Sequence, residues 1–244
     1  MSHFEGKPAL EHVIEARRKG AIAASEIHGV ELAPSALAFL RSMQEMAFLL
    51  ALIVLLFPTI FFPYLPLVAI GWTLWRTGQG ALQGWLRLGR LHRLIEEERW
   101  EIEHHRPQEK EELRALYAAR GFSGKLLDEA IEVLMADDNR LLQVMLEEEL
   151  GLSLESYEHP LKQALGAFSG AVISGMVLIL SFYFLPVIVS FGFVVLLVAI
   201  SALIRAKKEK HSPISIVVWD LGILLVALLA ALFLREQYVS PLPL

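Results

Sequence analysis

Between Glu45 and Arg76 the chain runs without one charged side chain. Such a stretch is hard to place in a soluble domain, because about 20 apolar residues are enough for one helix to cross the hydrocarbon core of a bilayer. It is short for two complete spans unless its charged edges are drawn in. Pro58, Pro63 and Pro66 interrupt it near the middle, and proline removes a backbone donor and breaks helices. The segment "FPTIFFPYLP" therefore reads as a turn with aromatic interface anchors. A first span is expected to begin near Ala38 and to take in Arg41 and Glu45. A second is expected to run from about Tyr64 into "WTLWRTGQGALQGWL". A single kinked span is the alternative.

Downstream, "ALGAFSGAVISGMVLILSFYFLP" and "VIVSFGFVVLLVAISALI" form a second hairpin with Pro186 at its turn, and "ISIVVWDLGILLVALLAALFL" is a last span. The basic residues agree with a count of five. "ARRKG", then Arg87, Arg90 and Arg93, then "RAKKEK" all fall on one side of the membrane if there are five spans, as cytoplasmic loops require. With four, "ARRKG" faces the other compartment. The N-terminus then lies in the cytoplasm and "REQYVSPLPL" lies opposite. The opening "MSHFEGKPALEHVIEARRKG" lacks an apolar core and mixes charge signs, so it reads as a short cytoplasmic amphipathic helix rather than a secretory signal. Gly80 with Gly84, and Gly166 with Gly170, are GxxxG steps that let helices approach closely in lipid. They serve packing within the chain or a dimer seam, and the spacing alone does not choose.

The charge is divided unevenly. The formal net charge is −5, yet residues 96–158 carry 18 acidic and 7 basic side chains. An acidic body of that kind is the wrong partner for nucleic acid and suits cations. There is no cysteine, which removes disulfides and thiolate metal sites. "LQGWLRLGRLHRLIEEERWEIEHH" has no helix breaker before Pro107, so the second span is expected to continue as one long helix. Pro107 then turns the chain into "EKEELRALYAAR", "KLLDEAIEVLM" and "NRLLQVMLEEELGL", three short helices. Gly121 is placed to end the first of them and Ser123 to cap the second. Leu116, Tyr117, Leu126, Leu127, Ile131, Leu134, Leu141 and Leu142 are the expected apolar core.

Helical neighbours lie three or four residues apart. Glu98 pairs with Glu101 in this sense, Glu109 with Glu112, and Met145 shares a turn with Glu148 and Glu149. Like charges at this spacing destabilise a helix, and a divalent cation reverses the sign. Oxygen ligands suit magnesium, calcium and manganese, and carboxylates with imidazole also suit ferrous iron. A solvated charged face is the competing reading. Glu101 and His104 make only one Glu-x-x-His step where a ferritin-like di-iron site needs two, so His104 and His105 read as surface residues.

From "ERWEIEHHRPQEKEELRALYAARGFSG" through "LLQVMLEEELGL", followed by a proline and a span rich in small residues, the chain resembles the vacuolar iron transporter family. The resemblance implies an all-α integral membrane protein with five transmembrane helices and a cytoplasmic three-helix acidic metal-binding domain inserted between spans 2 and 3. It implies a homodimer in the lipid bilayer that moves ferrous iron, or manganese, out of the cytosol in exchange for protons. Such a protein is a transporter rather than an enzyme, with no permanently bound cofactor. The implied metal ligands are Glu98, Glu101, Glu109, Glu112, Met145 and Glu149. Leu146 stands where the family has a further glutamate, which Glu147 or Glu148 replaces.

The implied transport path departs from the family's pattern. The family places an aspartate in span one and a methionine in span two. Here the nearest carboxylate of span one is Glu45, and Arg76 falls on the methionine position. Asp220 is the one acidic residue of the last span, about 15 Å along its helix from Lys210. Intramembrane charges seek a partner, so an Arg76–Asp220 pair is expected. The organisation expected is a cytoplasmic segment over 1–37, a transmembrane hairpin over 38–87, the acidic domain over 88–160 and three spans over 161–244. A membrane-tethered metal sensor or buffer that has lost its pore site is the second reading. A structural membrane protein whose acidic helices bind a partner is the third.

Overall fold

The computed structural model describes residues 32–57, 62–148 and 158–238. The whole of the expected N-terminal amphipathic helix, part of the first turn, and Glu149 lie outside them. Every regular element among the described residues is helical. In chain order these are α1 (Pro34–Leu56), a 3₁₀ turn (Phe62–Tyr64), α2 (Leu65–His104), α3 (Arg106–Ala119) and α4 (Gly124–Met135). They are followed by α5 (Asp138–Glu148), α6 (Pro160–Phe184), α7 (Val187–Lys208) and α8 (Pro213–Tyr238). Helices α1, α6, α7 and α8 are long and apolar enough to cross a membrane. The chain is thus an all-α, multi-span membrane protein with a multi-helix soluble insertion between its spans. The described residues form two compact units, one from 86–148 and the other from 32–85 and 158–238.

In the apolar unit the prolines mark the helix boundaries. Helices α1, α6 and α8 begin at or next to Pro34, Pro160 and Pro213, where a missing N–H costs nothing. Helix α1 ends just before Phe57, and α6 just before Leu185; each of these residues precedes a proline and so avoids the helical region. Pro186 then caps α7.

Helix α1 is the centre of this unit, packing against α6, α7 and α8. Met46, Ala47, Leu50 and Val54 share one buried cluster with Leu65, Ala69, Ala171, Leu178, Val194 and Val198. Its ends are held by side chains from elsewhere. The Glu158 carboxylate accepts the Ser35 N–H at 2.9 Å and its hydroxyl at 3.0 Å, and Arg235 donates to the Leu55 carbonyl at 3.1 Å. Both satisfy groups that a helix terminus leaves open.

The α1–α6 contact is a meeting of backbones. A Cβ on Gly166 would overlap the Ser35 carbonyl, and one on Gly170 would overlap the Phe39 carbonyl and the Ser42 hydroxyl. Ser174 donates across the same seam to the Met43 carbonyl at 2.9 Å. The other GxxxG step faces the start of α6. A Cβ on Gly84 would lie 2.7 Å from the Pro160 Cα, and one on Gly80 3.2 Å from the Ala167 Cβ. Both glycine steps are therefore used within the chain.

The second unit begins in the latter half of α2. Leu91, Ile102, Leu113, Leu127, Ile131, Leu141, Leu142, Met145 and Leu146 form its buried cluster. Leu126, expected in this core, is 60% exposed. The inward stripe of α4 runs through Leu127 and Ile131, four residues apart, and Leu126 is rotated about 100° away from it. Arg120 closes α3 and Gly121 follows at φ +96°. The Phe122 N–H reaches the Tyr117 carbonyl and the Gly121 N–H that of Ala118, while the Tyr117 and Phe122 rings meet edge to face. That is the Schellman arrangement a left-handed glycine permits. Ser123 stands at the N-cap of α4 without a capping bond. Asp137 does cap α5, accepting the N–H groups of Asn139 at 2.9 Å and Arg140 at 3.0 Å.

Two outcomes follow. Gly170→Ala should lower the stability of the purified protein in detergent by about 1–3 kcal/mol, as overpacking does, with a lower midpoint in thermal melts. Gly175→Ala, whose added methyl meets nothing closer than 3.7 Å, should leave the midpoint in place. Second, the Arg140 and Asn139 amides hold the Asp137 carboxyl below its ordinary value of 3.8. A depressed carboxylate contributes stability above its unfolded pKa and loses it as pH falls through the folded one. Below about pH 4, helicity should therefore fall more in the wild type than in Asp137→Asn, followed by circular dichroism.

Candidate metal domain and intramembrane ion pairs

The inward stripe of α3 reads Glu109, Glu112, Leu113 and Leu116, a spacing of three, four and seven residues. Two of those four core positions carry carboxylates, and Glu109 and Glu112 are each only 1% exposed. The same substitution occurs in α2, where the stripe through Leu91 and Ile102 includes buried Glu98. Glu101 is half-buried one turn on. Helix α5 brings Met145, fully buried, into the cluster shared by Ile102 and Leu113. Among the described residues, Glu98, Glu109 and Glu112 are the buried acidic side chains. Glu96, Glu97, Glu103, Glu111 and Glu147 are exposed. Of the residues expected to hold metal, four are buried, Glu101 and Glu148 are partly buried, and Glu149 lies outside the described residues.

The basic side chains of the insert hold other carboxylates. Arg106 bridges Asp138 at 2.6 Å and the Met135 carbonyl at 2.7 Å. Arg114 pairs with Asp128, and Arg120 with Glu148. Glu148 thus serves an ion pair in this arrangement. Its neighbour in sequence, Glu147, accepts from Gln143 at 3.1 Å. His104 stacks on Trp100 with its Nδ1 2.9 Å from the Trp100 carbonyl, and His105 meets the same indole edge-on. Among the described residues no three histidine, aspartate or glutamate side chains converge closely enough to hold a metal ion.

The expected Arg76–Asp220 pair does not form. Arg76 Nε lies 2.5 Å from Glu45 Oε2, tying α2 to α1. Asp220 is taken by Arg205, which reaches both carboxylate oxygens at 2.9 and 2.8 Å. Gln44 adds a bond to Asp220 Oδ2 at 2.8 Å. The reason is the short turn between α7 and α8, which folds Asp220 back onto the helix carrying Arg205. Sequence reasoning grouped Arg205 with the basic turn that orients the protein and passed over Gln44. The 15-residue separation across one hairpin was the signal for the first. Nothing in the sequence marked the second.

A cavity of about 390 Å³ lies beside these pairs, lined by Gln44, Glu45, Phe48, Val198, Asp220, Ile223, Leu224 and Ala227. One carboxylate from α1 and one from α8 thus face a single space with apolar walls. Removing one partner of a buried pair costs 3–5 kcal/mol because the other charge is left alone. Arg205 keeps some exposure, so Asp220→Asn should cost on the order of 2 kcal/mol, read as a lower thermal midpoint in detergent. Arg205→Lys should cost less.

No curated protein matches the chain. A family model does: residues 90–234 match that of the VIT family. The match takes in the end of α2 from residue 90, α3 to α5 and nearly all of α6 to α8, more than half of the chain. With its acidic helical insert and its apolar bundle, the chain belongs to the VIT family, the vacuolar iron transporters.

Proposed function

We propose that this divalent-cation transporter of the VIT family, which is not an enzyme, moves ferrous iron, and manganese as a second substrate, out of the cytosol in exchange for protons, with the acidic unit capturing the metal. The observation that carries this reading is the placement of Glu98, Glu109 and Glu112 on core-facing stripes. Hard oxygen donors with one thioether at Met145 are a donor set that suits a divalent ion and from which it is also readily released. Transport requires that release as much as capture. Glu98, Glu101, Glu109, Glu112, Met145 and Glu149 are the proposed ligands, with Glu148 in reserve behind its Arg120 pair.

On this reading α2 supplies the second of five spans through its first half. Residues 65–86 extend about 33 Å at 1.5 Å per residue, enough to cross the hydrocarbon. Leu67, Ile70, Leu74, Trp75, Leu82 and Trp85 are exposed along it, as a lipid-facing or partner-facing helix requires. Five spans put the N-terminus and the insert in the cytoplasm and the C-terminus opposite. The working unit is a homodimer. Glu45, Arg76 and Asp220 stand by the path. The Glu45–Arg76 contact also favours a second reading, a tethered sensor or buffer whose path is closed by its own arginine.

Ferrous iron uptake into proteoliposomes holding a trapped iron-sensitive dye, under an imposed pH gradient, tests the proposal. Uptake should depend on the protein and on the gradient, and should fall more than about tenfold in Glu109→Gln and Glu112→Gln, a loss of more than 1.4 kcal/mol of capture. Saturable metal binding with no uptake would leave the sensor reading standing and end the transport one.

A further inference from the structure

The two carboxylates that face the cavity between α1, α7 and α8 are held very differently. Asp220 receives two contacts from one guanidinium nitrogen of Arg205, one to each carboxylate oxygen, and a third from Gln44. Glu45 is held through a single close contact. Arg76 Nε and Glu45 Oε2 approach to 2.5 Å, yet neither atom makes an aligned hydrogen bond among the described residues. The Glu45 side chain is 39% exposed, against 13% for Asp220. Of the two pairs, Glu45–Arg76 is the one built to open.

We propose that Arg76 is a tethered cation that competes with the transported metal for Glu45, setting the concentration at which the membrane path fills and helping to expel the ion that has entered. This rests on the transport reading above. A guanidinium fixed to α2 sees Glu45 at the high effective concentration of an intramolecular partner. A metal ion must therefore displace it, and the loosely held pair makes displacement feasible. Guanidinium is a delocalised and weakly hydrated cation, while a divalent ion brings twice the charge and satisfies the carboxylate at shorter range. Once the ion moves on, Arg76 falls back onto Glu45 and leaves no bare carboxylate among apolar helices, where it would be costly. The neighbouring Gln44–Asp220–Arg205 group fixes the α1 register, so that the exchange at Glu45 takes place without movement of the α7–α8 hairpin.

The test is the half-saturating ferrous iron concentration for proteoliposome uptake in the wild type, Arg76→Gln, Glu45→Gln and the double variant, each with its thermal midpoint measured in parallel. Arg76→Gln should lower that concentration about tenfold, the factor that 1.4 kcal/mol of lost competition gives. Glu45→Gln, which leaves the arginine without its carboxylate in the path, should nearly abolish uptake. Adding Arg76→Gln to it should restore a measurable part. The double variant leaves neither charge without a partner, so it stays informative if Arg76→Gln alone does not fold. An unchanged or higher half-saturating concentration in a folded Arg76→Gln protein overturns the proposal, and so does a double variant no more active than Glu45→Gln. A wild type that takes up no iron overturns instead the transport reading on which the proposal rests.

Discussion

The approach of the α6 backbone to the α1 backbone is the constraint on which the apolar unit depends. In lipid there is little hydrophobic force to press helices together, so association rests on close packing and on hydrogen bonds between helices. Gly166 and Gly170 supply the first by leaving room for the carbonyls of Ser35 and Phe39. Ser174 supplies the second through the Met43 carbonyl. With α1 seated in this way, its other faces meet α7 and α8, and Gln44 and Glu45 are carried toward Asp220 and Arg76. The ion pairs are thus consequences of a seam made of small residues. A methyl group at Gly170 would disturb them from across the helix.

The insert solves the opposite problem. It is small, polar and acidic, and it gives core positions to carboxylates. Its apolar cluster, from Leu91 on α2 to Leu146 on α5, holds together four short helical segments whose own propensities would not suffice at these lengths. The Schellman closure at Gly121 and the Asp137 cap fix where those segments turn. Around the rim, arginines neutralise Asp128, Asp138 and Glu148. The inward glutamates are therefore set on a scaffold whose peripheral charge is already balanced. A fixed frame outside with carboxylates inside is the division of labour that the proposed cation site calls for.

Much of this was legible in the sequence wherever one residue type has one physical use. The uncharged run before Arg76 and the prolines at its middle marked two helices rather than one, and Gly121 marked the end of α3. The three-residue spacing of Glu109 and Glu112 placed both on one face. That the face points inward follows from Leu113 and Leu116 on the same stripe. Leu126 was misplaced because adjacent leucines on α4 differ only by a rotation of the helix, which depends on what it packs against. Partner choice in the membrane was misread for the same reason. Arg76 and Asp220 are each conspicuous as isolated charges, but which charge meets which depends on helix rotation and on the short α7–α8 turn. Neither is encoded locally.

The Arg76–Glu45 contact gives the departure from the family's pattern a physical meaning. A methionine in span two would offer the ion a soft ligand and no charge; an arginine offers repulsion, which on its own would close the path. In the proposed exchange, repulsion is moderated because the arginine is neutralised by Glu45, so an approaching metal would meet a pair with no net charge rather than a bare cation. Opening that pair must cost less than the metal gains at Glu45, and closing it must gain enough to send the ion onward. A single misaligned contact at Glu45, beside an Asp220 held by three contacts, is the geometry that the proposed exchange would use.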